Sequence, residues 1–207
     1  MKKEEYKKPI LVLASASPRR MELLERAGIV HQVYPVNVDE TPQPREAPEA
    51  LVARLARSKA EAAALLCGDK IPILGADTMV FCDGSLLGKP PHEGAARQMM
   101  QRLAGKIHHV LTGYHVRYIN HDGQLCFIDR VVSTEVEVKP FTEQEIQAYL
   151  ITEEWRGKAG GYAIQGRFSC FVRAICGNYD NIVGLPICPL REDLLAHGLL
   201  SAPPAWV

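Results

Sequence analysis

The segment Ser15-Ala16-Ser17-Pro18-Arg19-Arg20 places two hydroxyls and two guanidinium groups between an apolar run and a helical pattern. The free N–H groups of a first helical turn, the dipole behind them and these side chains all favour a phosphate. An ordinary cap with two solvent-facing arginines fits the same spacing. The chain has neither a Gly-x-x-x-x-Gly-Lys-Ser/Thr loop nor a Gly-x-Gly-x-x-Gly fingerprint. Lys59 falls on the apolar stripe of a long amphipathic pattern with Val52 and Leu55, where a lysine either snorkels at the rim or is held inward by an anion. Asp77 follows the apolar run 71–76. A carboxylate at the end of a buried strand can bind a hard cation or activate a water, or it can open a turn as an Asx residue. Asp39-Glu40 offer a second carboxylate or a solvated loop. Lys89, in Gly88-Lys89-Pro90, could reach a phosphate, and the amide of Gln165, being donor and acceptor at once, could read a base edge. Either is equally at home on plain surface. Lys158 and Arg173 are further cations without an assigned role. His108-His109 have no partner at metal-ligand spacing and are expected on a hairpin surface. Several cations, one or two carboxylates and a base-reading amide form a set that suits a nucleoside polyphosphate with a divalent metal.

The elements that must position these groups are legible from periodicity and punctuation. A buried strand is expected over 10–14, then a serine-rich turn and a helix capped by Ser17, started by Pro18 and ended by Gly28. A short strand over 31–36, an acidic loop over 37–46, a long helix over 47–66 and a strand over 71–76 follow. Asp83-Gly84 reads as the turn of a hairpin between 79–82 and 85–87, and His121-Asp122-Gly123 as the turn between strands 110–120 and 124–138. Helices are expected over 93–104 and, from the Thr142/Glu145 capping box, to about residue 150. The glycine-rich loop 157–166 precedes a strand over 170–175, a turn over 178–186 and a last helix to Gly198. The fold class is α/β, one domain over 1–207 with a mixed sheet flanked by helices, in which block 107–140 could stand as a lobe of its own.

Lys+Arg and Asp+Glu both number 24, so the formal net charge is zero. That balance excludes a broad nucleic-acid surface, whose affinity comes from a basic excess, but not a small anion bound by a few local charges. A composition of 47% hydrophobic and 23% charged residues is that of a globular chain. No stretch approaches the ~18 apolar residues of a membrane span, and residues 1–8 lack an apolar signal core, so a cytoplasmic protein is expected. The six cysteines contain no Cys-x-x-Cys pair and are read as reduced, core-filling thiols.

Seven blocks, in order, closely resemble the Maf family of nucleoside triphosphate pyrophosphatases: Leu13-Ala14-Ser15-Ala16-Ser17-Pro18-Arg19-Arg20, Val38-Asp39-Glu40-Thr41, Arg54-Leu55-Ala56-Arg57-Ser58-Lys59-Ala60, Gly75-Ala76-Asp77-Thr78, Gly88-Lys89-Pro90, the run 160–166 and Val183-Gly184-Leu185-Pro186. The resemblance covers about residues 10–198 and leaves 1–8 and 201–207 as terminal tails. It implies an elongated mixed sheet flanked by helices, two lobes with a central cleft similar to the inosine triphosphate pyrophosphatases, and often a homodimer. It further implies hydrolysis of a nucleoside triphosphate between the α and β phosphates with Mg, Mn or Co. By resemblance, Asp77 is the general base, Ser15, Arg19, Arg20, Lys59 and Lys89 handle phosphate, and Glu40 with Asp77 concerns the metal. The subgroup acting on dTTP and UTP carries Arg, Thr and Gln where this chain has Arg19, Thr78 and Gln165; the subgroup acting on 7-methyl-GTP carries Trp, Gln and Glu. Two alternatives stand beside this reading: a nucleotide-sensing regulatory protein linked to septum formation, and a pyrophosphatase for modified nucleotides.

Overall fold

The computed structural model describes residues 10–201; the charged leader 1–8 and positions 202–207, expected to be terminal tails, lie outside the described residues. The elements run β1 (Leu11–Leu13), α1 (Pro18–Arg26), β2 (His31–Val33), α2 (Pro48–Cys67), β3 (Ile73–Cys82), β4 (Ser85–Leu87), α3 (Glu93–Leu103), β5 (Ile107–Ile119), β6 (Leu125–Val138), α4 (Glu143–Ile151), β7 (Val172–Cys176), α5 (Tyr179–Val183) and α6 (Ile187–Ala196). The strands form one mixed sheet in the order β2-β1-β3-β5-β6-β7, with β4 also beside β3. β1 pairs in parallel with β2 and β3, and the other pairings are antiparallel. The long hairpin β5–β6 joins this sheet rather than standing apart, because β5 pairs with β3 from Ile73↔Arg117 to Phe81↔His109.

That pairing also corrects the place of Asp77. It does not end a strand or open a turn; it lies in the middle of β3, opposite Gly113, because β5 supplies an unbroken ladder past it. On its other edge β3 is paired twice, by β1 at Ile73 and Leu74 and by β4 from Val80 to Cys82. Between those two pairings the edge of β3 is open, and Asp77 and Thr78 fall in the gap. Asp83 and Gly84, both at positive φ, make the tight turn that folds β4 back.

The two faces of the sheet are covered unequally. Side chains alternate along β3, and Leu74, Ala76, Val80 and Cys82 join the main core with Leu23 and Leu24 of α1, Met100 and Leu103 of α3, Tyr149 and Leu150 of α4, and Leu190 and Leu194 of α6. Ile73 packs on the opposite face with Ala60 and Ala63 of α2. Helix α2, opened by Pro48 and ended by Gly68, owes its seat to glycine. A Cβ on Gly75 would lie 2.0 Å from the Ala56 carbonyl oxygen, and one on Gly113 would lie 2.6 Å from the Val52 carbonyl carbon.

Other expectations shift for physical reasons. Residues Arg167–Phe171 form a 3-10 turn, and β7 begins only at Val172, where pairing with β6 starts. The turn over 178–186 contains the short helix α5, capped by the Asn178 side chain on the Asn181 N–H (2.8 Å). The six cysteines are free; Cys82 is buried, Cys126 and Cys67 are half-buried against the two cores, and Cys170, Cys176 and Cys188 are exposed, so core filling holds for three. His108 is not on a surface. Its side chain points into the main core, fully buried, with Nε2 2.8 Å from the Tyr162 hydroxyl.

Two outcomes follow from this packing. Gly75→Ala overpacks the α2 contact and should lower stability by about 1–3 kcal/mol; an unchanged urea midpoint would show that α2 does not rest on Gly75. Burial, then the charge of His109, pushes His108 down to about 4. The unfolded chain therefore takes up the proton first, and stability present above pH 6.5 drains away as pH falls towards 4, by up to about 3 kcal/mol. Melting curves over that range should show the loss, and His108→Gln should flatten it.

Candidate active site

A cavity of about 660 Å³ opens at the gap in the β3 edge. Among the described residues no strand fills the gap, and residues from both faces of the sheet reach it. Asp77 comes from the α2 face, and Thr78 from the face carrying α1 and α5. The turn after β1 contributes Ser15, the first turn of α1 Arg19 and Arg20, the acidic loop Glu40, α2 Lys59, and the segment after β4 Lys89; the stretch 156–165 contributes Lys158, Tyr162 and Gln165. Every residue singled out by the resemblance therefore lines one cavity.

Lys59 is held inward and does not snorkel. Its Nζ donates to Asp77 Oδ1 at 2.6 Å and pairs with Glu40 Oε1 at 2.7 Å. Lys59 and Asp77 are 8% and 6% exposed, whereas the Glu40 side chain is 44% exposed. Burial raises the Glu40 pKa, but hydrogen bonding to Lys59 and the charges of Lys59, Lys89 and Arg20 outweigh it and leave the group below its ordinary value. The far end of the acidic loop is fixed by Arg54, which grips both oxygens of Glu46 at 2.6 and 2.8 Å and reaches the Thr41 carbonyl. Asp77 Oδ2 is buried and has no hydrogen-bond partner among the described residues.

Arg20 is buried on neutral acceptors. It donates to Ser15 Oγ (3.1 Å), Thr78 Oγ1 (3.1 Å) and the Gly184 carbonyl (2.8 Å). Burial pulls its pKa down, and the charge of Asp77 pulls back. Arg19 donates to the Val183 carbonyl and is likewise lowered by burial. Those carbonyls are placed by α5, which is tied to the sheet by Asn181: its amide donates to the Val110 carbonyl and to Thr134 Oγ1, and its own carbonyl accepts from Thr112 Oγ1. Thr78 Oγ1 also meets Thr112 Oγ1 and the Gly184 carbonyl, so its hydroxyl braces Arg20 as well as facing the cavity. Ser17 occupies the N-cap of α1 without a side-chain cap bond; its N–H donates instead to Ser15 Oγ (3.2 Å).

Spacing alone gives Lys158 no role, yet it lines the cavity beside Arg19, and burial followed by the charge of Arg19 lowers its pKa. The signal for it was a lysine among the glycines of 157–161. Arg173 does not belong here: it pairs with Glu137 at 3.7 Å. Among the described residues, Arg19, Arg20, Lys89 and Lys158 form no ion pair with a carboxylate, which leaves four cations for an anionic ligand.

The donor set also bears on a divalent metal. No group of three or more His, Cys, Asp or Glu gathers among the described residues. Asp77, with an orphaned buried oxygen, and Glu40 supply two hard oxygen donors, the kind of partial shell that Mg²⁺ completes with substrate phosphates and water. The residues present fit that arrangement.

The family profile described as Maf-like protein matches residues 10–197. A dTTP/UTP pyrophosphatase of Geobacter metallireducens is 46% identical over 190 residues, covering 92% of this chain and 97% of the relative. One from Bacillus cereus is 45% identical over 184 residues, covering 89% and 93%. Among solved structures, a HAM1 protein from Coxiella burnetii aligns at a TM-score of 0.41 and 16% identity, covering 62% of this chain and 72% of that one. No helix among the described residues is long and apolar enough to cross a membrane. With one profile spanning nearly all described residues and relatives matched almost end to end, this chain belongs to the Maf family.

Proposed function

We propose that this chain is a nucleoside triphosphate pyrophosphatase that hydrolyses dTTP and UTP to the monophosphate and pyrophosphate. The observation that carries the reading is the opposition, within one cavity, of Asp77 and Glu40 to four cations that have no carboxylate partner. The names of the relatives at 43–46% identity point to the same substrates. The residue triple Arg19, Thr78 and Gln165 supports that base class, since all three line the cavity.

In this mechanism the cations neutralise the charge that accumulates on the leaving pyrophosphate, where preorganised donors act most strongly. Arg20, already desolvated and fixed on Ser15, Thr78 and Gly184, needs no reorganisation to do so. Arg19, Lys89 and Lys158 close on the remaining phosphate oxygens. Asp77 accepts a proton from the attacking water; the water oxygen bonds to the α phosphorus, and the bond to the pyrophosphate oxygen breaks with its electron pair leaving on pyrophosphate. Asp77 and Glu40 would hold the divalent cation, which supplies Lewis-acid charge to the phosphate oxygens. Gln165, exposed at the rim of the cavity, offers its amide to the pyrimidine edge. Binding alone does not need a general base, so the catalytic reading is favoured over the regulatory one.

Incubation with Mg²⁺ or Mn²⁺ and a panel of normal and modified triphosphates should release pyrophosphate, not orthophosphate, and fastest from dTTP and UTP. Asp77→Asn should lower kcat by roughly 100-fold or more, the scale of a lost general base, with the melting temperature little changed; near-normal turnover would remove Asp77 from this role. Gln165→Glu should shift the order of preference among bases, and an unaltered nucleotide profile would refute the part given to Gln165.

A further inference from the structure

The resemblance to the family assigns Lys59 to phosphate, but its surroundings fit a different task. Two of the three ammonium donors are engaged, one by a carboxylate on the neighbouring strand and one by a carboxylate in the acidic loop. Lys59 between Asp77 and Glu40 has its ammonium already engaged by two carboxylates, and with no cation bound the trio carries a net charge of minus one. The cations with no carboxylate partner are Arg19, Arg20, Lys89 and Lys158, and the phosphate charge is matched there. Lys59 also solves a problem for Asp77 and Glu40: two carboxylates brought to one spot repel unless a cation lies between them.

We propose that Lys59 is a positioning residue for the hydrolysis described above. Its ammonium clamps Asp77 and Glu40 into one unit, and because it takes Oδ1 of Asp77 it fixes Oδ2 as the carboxylate oxygen left without a donor. Two observations carry this. Asp77 Oδ2 is buried without a partner among the described residues while Oδ1 accepts from Lys59, so the two oxygens of one carboxylate are already differentiated. Glu40 sits in the irregular loop 37–46, and the Lys59 bridge ties the middle of that loop to α2 and β3. The other long-range anchor of the loop, Arg54, acts on Thr41 and Glu46 further along. Without the lysine, Glu40 would be expelled from Asp77 and the middle of the loop would come free.

The proposal rests on the nucleotide reading, and its test separates the two. In the full-length chain, without nucleotide or metal, backbone hydrogen exchange is followed by mass spectrometry in the wild type, Lys59→Met and Glu40→Ala. Glu40→Ala cuts the same bridge at its exposed end, where folding is not at risk. Both variants should speed exchange over 37–46 while β5 stays protected; a loop that exchanges as slowly in Glu40→Ala as in the wild type overturns the clamp. The same Lys59→Met protein is then assayed with Mg²⁺ and the preferred triphosphate. A positioning role lowers kcat by roughly 100-fold and moves KM by less than about threefold, because the lost interaction orients the reacting carboxylate and not the substrate. A KM raised about tenfold or more with kcat retained marks a phosphate ligand and overturns the proposal. If the wild type releases pyrophosphate from no triphosphate, the nucleotide reading fails, and the exchange data alone decide whether Lys59 is a clamp.

Discussion

Helix α2 lies on the sheet at a separation that only hydrogen on the strands beneath it allows. Gly75 and Gly113 sit on adjacent strands, and Gly113 is the cross-strand partner of Asp77. The helix backbone therefore comes down beside the carboxylate, and Lys59, next to the Ala60 that overlies Gly75, delivers its ammonium to Asp77. A methyl group at either glycine would lift the helix, and the lysine with it. The lysine in turn brings in Glu40, so the location of the acidic loop depends on a contact between a helix and two residues with no side chain.

The second constraint is the broken edge of β3. A sheet normally separates its two faces, and residues adjacent in sequence point away from each other. Here β1 stops pairing at Leu74 and β4 starts at Val80, so the strand is unaccompanied for just the stretch that carries Asp77 and Thr78. The carboxylates arrive from one face and the buried arginine from the other, and they meet through the gap. This resolves the neutral overall charge. The 24 basic and 24 acidic residues balance across the chain, but in this cavity cations that have no carboxylate partner among the described residues face two carboxylates. The balance is global and the separation is local, which suits one small polyphosphate and not a long one.

Much of the fold was legible beforehand, and the failures have a pattern. The helices α1, α2, α3 and α4 and the turn at Asp83-Gly84 were readable because each is governed by short-range rules: proline at a first helical position, a capping box, glycine at positive φ. The strand through Asp77 was cut short because a polar pair after an apolar run imitates a turn, and only the ladder from β5 keeps it extended. His108 was placed on a surface since hairpin polarity reads that way locally; Tyr162, far along the chain, gives its ring nitrogen a partner in the core. The cysteines looked apolar by their neighbours in sequence, yet exposure of three of them follows from the edge and end positions they occupy.

The sequence by itself determined the family and the inventory: which cations, which carboxylates, which amide, and their order along the chain. Side-chain chemistry and local motifs survive without coordinates, because they depend on residue type and short spacing. What only the tertiary structure decided is the division of labour. Arg20 sits without an acidic partner, Lys59 has two, Thr78 braces Arg20, and Lys158 joins the site, and none of this follows from spacing. The physical reason is that the partners of these charged groups lie from 18 to more than 160 positions away in sequence, and their distances are set by a glycine-seated helix and an open strand edge.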